Sequence, residues 1–398
     1  MKRIIAALLA ALCLLTGCAE RGLPDPLEPS VTPEAPVIRD DTPSPAEPSE
    51  EERAEQYLQE LLGAMTIEEK VGQMFFVRCP ETGAAEDVAA YHLGGLLLFG
   101  RDYKNAAGEW LTATELTAKL TACQAAASIP LFIGSDEEGG TVTRASRNPN
   151  LFAERSKSPQ QLYAANTDTR DPLDTIAADA EEKSMLLLDW GINVNFAPVA
   201  DVSTDPADFI YDRTFGQDAA ATAEYVARVV TVMQDAGMAS VLKHFPGYGS
   251  NVDTHTGVAI DTRSYESFAE SDFLPFEAGI AAGAPFVLVS HNVVECMDSS
   301  LPASLSPEVH RILREELSFE GIAITDDLAM DAVAAYANGE AAVLAVLAGN
   351  DMLVTSDYQS DIPAVLAAVS DGRISEEQID ESVLRVLRVK LSMGLLTR

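Results

Sequence analysis

From Met65 onward the chain keeps one beat, in which short and nearly continuous apolar runs alternate with amphipathic stretches of helical length. The runs fall at Met74–Val77, Gly95–Phe99, Leu131–Ser135, Val194–Ala197, Ser240–Lys243, Phe286–Ser290, Ile322–Thr325 and Met352–Thr355. Helical stretches such as Asp174–Trp190, Ala219–Ala236, Ser306–Leu317 and Gly339–Leu347 lie between them. A strand that is apolar on both faces has to be covered on both, which is the condition of a parallel sheet wrapped in helices. Eight such strands separated by helices fit a closed α/β barrel, the (β/α)8 TIM barrel, better than an open sheet.

The ends of this pattern carry their own signals. Thr66-Ile67-Glu68-Glu69 has the spacing of a capping box and is expected to open the first helix. Ser375-Glu376-Glu377-Gln378 opens the last, with Ile374 and Ile379 spaced as a hydrophobic staple and Gly394 placed to stop it. The expectation is one catalytic barrel over residues 56–398 with no second domain after it, so that every catalytic group comes from the barrel unless another subunit contributes one.

The first residues read differently. Lys2 and Arg3 precede an apolar run from Ile4 to Leu15, too short for the ~20 residues a bilayer demands, so residues 1–17 read as an export signal. Leu15-Thr16-Gly17-Cys18 resembles the lipobox of bacterial lipoproteins, which implies a lipid on Cys18 and an outward-facing position at the bacterial cell membrane. Residues 18–55, rich in Pro and acid, bury too little to fold and are expected to form a disordered tether. Cys79, Cys123 and Cys296 are too few and scattered for a disulfide framework and read as small buried apolar residues. The net charge of −35, from 27 Lys and Arg against 62 Asp and Glu, argues against a nucleic-acid partner. Any anionic ligand has to meet cations placed locally.

In a barrel of this kind catalytic residues gather where strands run out at their C-terminal ends. Here the third run ends in Asp136-Glu137-Glu138-Gly139-Gly140 and then Arg144, and the fourth leads to Asn195, Asp201 and Arg213. The fifth ends in Lys243-His244-Phe245-Pro246-Gly247-Tyr248-Gly249, then Asp253-Thr254-His255. The sixth ends in His291-Asn292, the seventh in Asp326-Asp327, the eighth in Ser356-Asp357. Strand alternation turns Lys243 and His244 to opposite sides, and Asp327 reads as the cap of the helix that follows. Asp136 and Asp201 also fit a loop-ordering role, and His291 a supporting hydrogen-bonded one.

Three of these segments carry a resemblance to glycoside hydrolase family 3, in its β-N-acetylhexosaminidase branch. They are Lys243-His244-Phe245-Pro246-Gly247-x-Gly249 with Asp253-x-His255, Ile324-Thr325-Asp326-Asp327-Leu328-x-Met330, and Asp136-x-Glu138-Gly139-Gly140-x-Val142-x-Arg144. The likeness extends from about Leu61 to Leu396. It departs from the common pattern at Glu137, Thr141, Tyr248 and Thr254, none of them a group assigned to chemistry. It implies Asp326 as nucleophile, His255 as acid/base paired with Asp253, and Asp136, Arg144, Arg213, Lys243 and His244 as sugar-binding residues.

Retaining hydrolysis needs a nucleophile that stays ionised and a group that gives and takes a proton. Cations near Asp326 favour the first, and a histidine, ordinarily titrating at about 6.5, suits the second. The Gly247–Gly249 stretch allows the Asp253/His255 pair to move over a bound sugar. The implied function is a retaining exo-acting β-N-acetylglucosaminidase releasing N-acetylglucosamine from muropeptides, without metal or cofactor. The alternatives are another β-glycosidase of the family (glucosidase or xylosidase), an N-acetylglucosaminide phosphorylase, and a non-catalytic sugar-binding lipoprotein. A metal-dependent barrel hydrolase fits less well, because the first strand ends in Arg78-Cys79 without His.

Overall fold

The computed structural model describes residues 48–166, 171–251, 259–337 and 339–398. The export signal, Cys18, Asp253 and His255 therefore lie outside the described residues. The chain divides after Pro48, and the unit from Ser49 to Arg398 is the barrel.

Eight strands run in sequence order: β1 (Phe75–Arg78), β2 (Gly95–Leu98), β3 (Phe132–Ser135), β4 (Val194–Asn195), β5 (Ala239–Phe245), β6 (Phe286–Val289), β7 (Ile322–Thr325) and β8 (Leu353–Thr355). From β1 to β7 each pairs in parallel with the next, and β8 returns to β1. A single parallel bridge, Ile324 to Met352, joins β7 to β8 and completes the ring. The expected TIM barrel is the fold observed. A two-residue pair, Ile260–Asp261 with Val293–Val294, stands apart from it.

Side-chain alternation explains the two cores. Phe76, Leu97, Phe132, Val194, Phe196, Val241, Phe286, Leu288, Ile322, Ile324 and Val354 point inward and fill the barrel. Their sequence neighbours Phe75, Val77, Leu96, Leu98, Ile133, Leu242, Val287, Ala323 and Leu353 face the helices. Burying each large inward side chain stabilises the fold by roughly 1.5–3 kcal/mol. Gly134 takes an inward position among them because a Cβ there would meet Phe196 at 2.6 Å and Phe76 at 2.8 Å.

The last helix, Glu376–Ser392, closes the N-terminal end, packing Val386 and Val389 under the barrel. Beside them Lys390 is fully buried, donating to Gln73 Oε1 at 2.6 Å and the Gly94 carbonyl at 3.2 Å, its ammonium 5.0 Å from the Phe132 ring centre. Burial lowers its pKa to about 7. The helix is capped as expected by Ser375, whose Oγ accepts from the Gln378 N–H at 3.1 Å. The Gln378 side chain does not complete a capping box, since it donates instead to the Val346 carbonyl at 2.7 Å.

Three expectations are corrected. The helix opened by Thr66 is preceded by another, Glu50–Ala64, so the folded unit begins inside the stretch expected to be tether. Ser49 and Glu52 form a capping box there, three Glu occupy its first turn, and Glu55 pairs bidentately with Arg388 of the last helix. Cys296 is exposed, unlike Cys79 and Cys123, because it follows the small outlying pair rather than a barrel strand. Asp327 caps no helix: its carboxylate accepts from the Ala329 N–H and the Ser356 hydroxyl, closing a turn before the helix Asp331–Ala337.

Candidate active site

The inward alternation continues one step past the apolar filling. Above Phe76, Leu97, Gly134, Val241 and Ile324 come Arg78, Phe99, Asp136, Lys243 and Asp326, and all five line one cavity of about 290 Å³. Val142, Arg144, Arg213, His244, Tyr248, Phe209, Asp327 and Met330 complete its wall. Polar groups at the floor with aromatic side chains around them suit a ligand with hydroxyls on its edge and an apolar face.

Ion pairs fix the floor. Lys243, 3 % exposed in its side chain, reaches Asp136 at 2.8 Å and Glu138 at 2.6 Å. Glu138 in turn takes a two-pronged contact from Arg213, Nη2 to Oε1 at 2.8 Å and Nε to Oε2 at 3.0 Å. Arg144 stands 3.5 Å from the other oxygen of Asp136. Burial alone would raise the Glu138 carboxyl, but Arg213 and Lys243 outweigh it and hold it at about 2. Burial likewise disfavours charge on Lys243, and Asp136 and Glu138 overcome it, so its pKa lies above the ordinary lysine value.

His244 belongs to the same network. Its backbone N–H and Nδ1 both meet Asp201 Oδ2, at 3.1 and 2.7 Å, and its Nε2 lies 3.0 Å from Arg213 Nη2. A guanidinium only donates, so Nε2 accepts and Nδ1 carries the hydrogen given to Asp201. The other Asp201 oxygen accepts from the Tyr248 N–H at 2.7 Å. Asp201 thus orders the loop after β5 and turns His244 into the pocket beside Lys243, against the expectation of opposite sides. Regular alternation fails there because the β5–β6 register shifts between Leu242 and Phe245. Gly247 follows with φ +128°, and a Cβ on it would lie 2.2 Å from Asp272 Oδ1.

Asp326 leaves β7 with its N–H still bonded to the Val289 carbonyl at 3.1 Å, and its Oδ1 accepts the Asp327 N–H at 2.8 Å. Both the residue and its carboxylate are therefore oriented by backbone. His291 is buried outside the pocket wall, between the Ser304 hydroxyl at 2.7 Å and the Asp327 carbonyl at 3.1 Å. Burial, followed by the neighbouring Asp326 charge, raises the pKa of Asp327.

The structure brings Asp136, Arg144, Arg213, Lys243, His244 and Asp326 to one cavity. It adds residues to which the sequence alone gives no role, Glu138 above all. The available signal is spacing, since Glu138 stands two residues beyond Asp136, and Arg78 ends β1 as Asp326 follows β7. Glu137, at the alternate position, orders the neighbouring loop instead, accepting from the N–H groups of Arg144, Ala145 and Ser146. Among the described residues no group of three or more His, Cys, Asp or Glu is arranged to hold a metal ion.

Comparison with known proteins gives this geometry its relatives. The sequence profile of the glycosyl hydrolase family 3 N-terminal domain matches residues 66–389. A β-N-acetylglucosaminidase/β-glucosidase of Cellulomonas fimi is 30% identical over 84% of this chain and 59% of its own length. The β-hexosaminidase LpqI of Mycobacterium tuberculosis is 30% identical over 98% of this chain and 97% of its own. The solved family 3 β-N-acetylglucosaminidase of Paenibacillus sp. superposes with a TM-score of 0.75 at 31% identity, covering 83% of this chain and 63% of that one. The chain thus spans less than two thirds of the Cellulomonas and Paenibacillus proteins and nearly all of the mycobacterial one.

Proposed function

Because this chain belongs to glycoside hydrolase family 3, we propose that it is a retaining, exo-acting β-N-acetylglucosaminidase acting on peptidoglycan fragments. The observation that carries the reading is Asp326, held by backbone bonds at the end of β7 in the same cavity as Asp136, Lys243 and Arg144. The names of the relatives support N-acetylglucosamine as the sugar released.

In this reading a β-linked N-acetylglucosamine enters the cavity with its hydroxyls toward Asp136, Lys243 and Arg144, while His244 and Arg213 shape the adjoining wall. An Asp326 oxygen attacks the anomeric carbon as the glycosidic C–O bond breaks, and His255 gives its proton to the departing oxygen. His255, now neutral, takes a proton from water, whose oxygen displaces Asp326 from the anomeric carbon. The sugar leaves with its original configuration and both residues return to their starting states. Asp253 positions the His255 ring. Residues 1–17 direct export and Cys18 carries the lipid, placing the enzyme on the outer face of the cell membrane near cell-wall fragments.

A β-glucosidase is the second reading, favoured by the double name of the Cellulomonas relative. A panel of aryl β-glycosides differing only in the sugar, run with and without phosphate, tests both. The expected result is fastest cleavage of the N-acetylglucosaminide at a rate indifferent to phosphate. Preference for the glucoside, or a sugar phosphate as product, would overturn the proposal.

A further inference from the structure

The loop after β3 opens on three acids, Asp136, Glu137 and Glu138, and its later part is basic. Between residues 144 and 157 stand Arg144, Arg147, Arg155 and Lys157 against one acid, Glu154, in a chain of net charge −35. Arg144 lines the cavity, whereas Arg147 and Arg155 lie exposed and side by side. Both Nε groups donate to the same Thr143 Oγ1, at 3.4 and 2.8 Å, and both Nη2 groups to the same Thr141 carbonyl, at 3.3 and 3.0 Å. Those acceptors are neutral, and among the described residues neither guanidinium forms an ion pair. Two like charges held together repel, and the pKa of Arg147 is lowered, by burial first and then by Arg155 and Arg144, which outweigh the opposing charge of Glu137. An anion arriving between them would relieve that repulsion.

The pair also has a place for a ligand beside it. A cleft of about 420 to 480 Å³ in each of two adjoining parts is lined by Arg155, the first part also by Thr141, Ser156, Gln161 and Asp212. That first part and the catalytic cavity draw on neighbouring residues of the same two loops: Thr141 adjoins Val142 and Asp212 adjoins Arg213 in the chain, and the second residue of each couple lines the cavity. The loop that walls the cavity with Val142 and Arg144 therefore also walls the cleft with Thr141 and Arg155.

We propose that the cleft receives the portion of the substrate beyond the sugar in the cavity, and that Arg155, backed by Arg147, recognises a carboxylate on that portion. This rests on the glycosidase reading and deepens it. Each guanidinium retains Nη1 and an outer Nη2 hydrogen, a planar set that matches a carboxylate in two-pronged fashion. Muropeptides offer such a group in two places, the lactyl ether of the second sugar and the attached peptide.

The test compares wild type with Arg155→Ala and Arg147→Ala/Arg155→Ala on three β-N-acetylglucosaminyl disaccharides. One has a neutral second sugar, one a second sugar with a free lactyl carboxylate, and one the same lactyl group amide-linked to a short peptide with free carboxylates. The double variant should lose about tenfold in kcat/KM, through KM, on a carboxylated substrate, while the neutral one changes by less than about twofold. Loss confined to the lactyl compound identifies that carboxylate, and loss on the peptide compound identifies the peptide. An equal change on all three, or none, overturns the proposal. If wild type cleaves none of them, the glycosidase reading fails separately, and calorimetric binding of the lactyl disaccharide still decides: weaker binding by the double variant supports the cleft assignment and equal binding overturns it.

Discussion

Replacing Glu138 by Gln removes one negative charge and keeps the volume, so it isolates what that carboxylate does for Lys243 and Arg213. Glu138 and Lys243 each leave only 3 % of their side-chain surface exposed, so solvent screens their contact little. The carboxyl sits at about 2 in the folded protein against an ordinary value of 4.5. A depressed folded pKa means that the stabilisation is fully present above 4.5 and is lost as pH falls through about 2. That gap, at ~1.4 kcal/mol per pH unit, corresponds to about 3 kcal/mol. Removing one partner of a buried ion pair typically costs roughly 3–5 kcal/mol, which agrees. Denaturant unfolding of wild type and Glu138→Gln at pH 7 should therefore differ by about 3 kcal/mol. Between pH 4.5 and 2 the two curves should converge, because wild type then protonates the group that the variant lacks. Activity should fall as well, since Lys243 and Arg213 lose the group that holds them in the cavity wall. Equal stability at pH 7, or a difference unchanged by acid, would refute the assignment of Glu138 as the electrostatic anchor of the site.

Other outcomes bear on the chemistry and the location. A slow 2-fluoro sugar substrate should label Asp326, read by peptide mass analysis, and labelling at Asp327 or Asp136 would reassign the nucleophile. His255→Ala should slow a natural disaccharide by roughly 10²–10⁴-fold while an activated nitrophenyl glycoside shows a burst and then slow turnover. Equal losses on both substrates without a burst would make His255 a binding residue only. Cys18→Ala should release the protein from the membrane fraction or leave it unprocessed, and a wild type already fully soluble would refute lipid anchoring.

Much of the barrel is legible along the chain because its signals are local. A run such as Ile322–Thr325 must be buried on both faces wherever it goes, and observed strand boundaries lie close to the apolar runs. The cavity is legible for a related reason: residues that follow a buried parallel strand, such as Asp136 and Asp326, emerge at its C-terminal end. The helix Glu50–Ala64 escapes such a reading because its acid-rich surface resembles a tether, and its buried face is only Leu58 and Leu62. The exposure of Cys296 escapes it because composition does not tell a rim residue from a wall residue.

The order and direction of the strands, and the polar residues at their ends, were thus determined by the sequence itself, through periodicity and side-chain type. Which of those residues serve one another was decided by the tertiary structure. Lys243 meets Asp136 across 107 positions of chain, Arg213 meets Glu138 across 75, and Lys390 finds Gln73 across 317. The same holds for Asp201, which turns His244 from 43 positions away. A hydrogen bond or ion pair depends on distances of about 3 Å, and for residues so far apart in the chain only closure of the barrel brings those distances about.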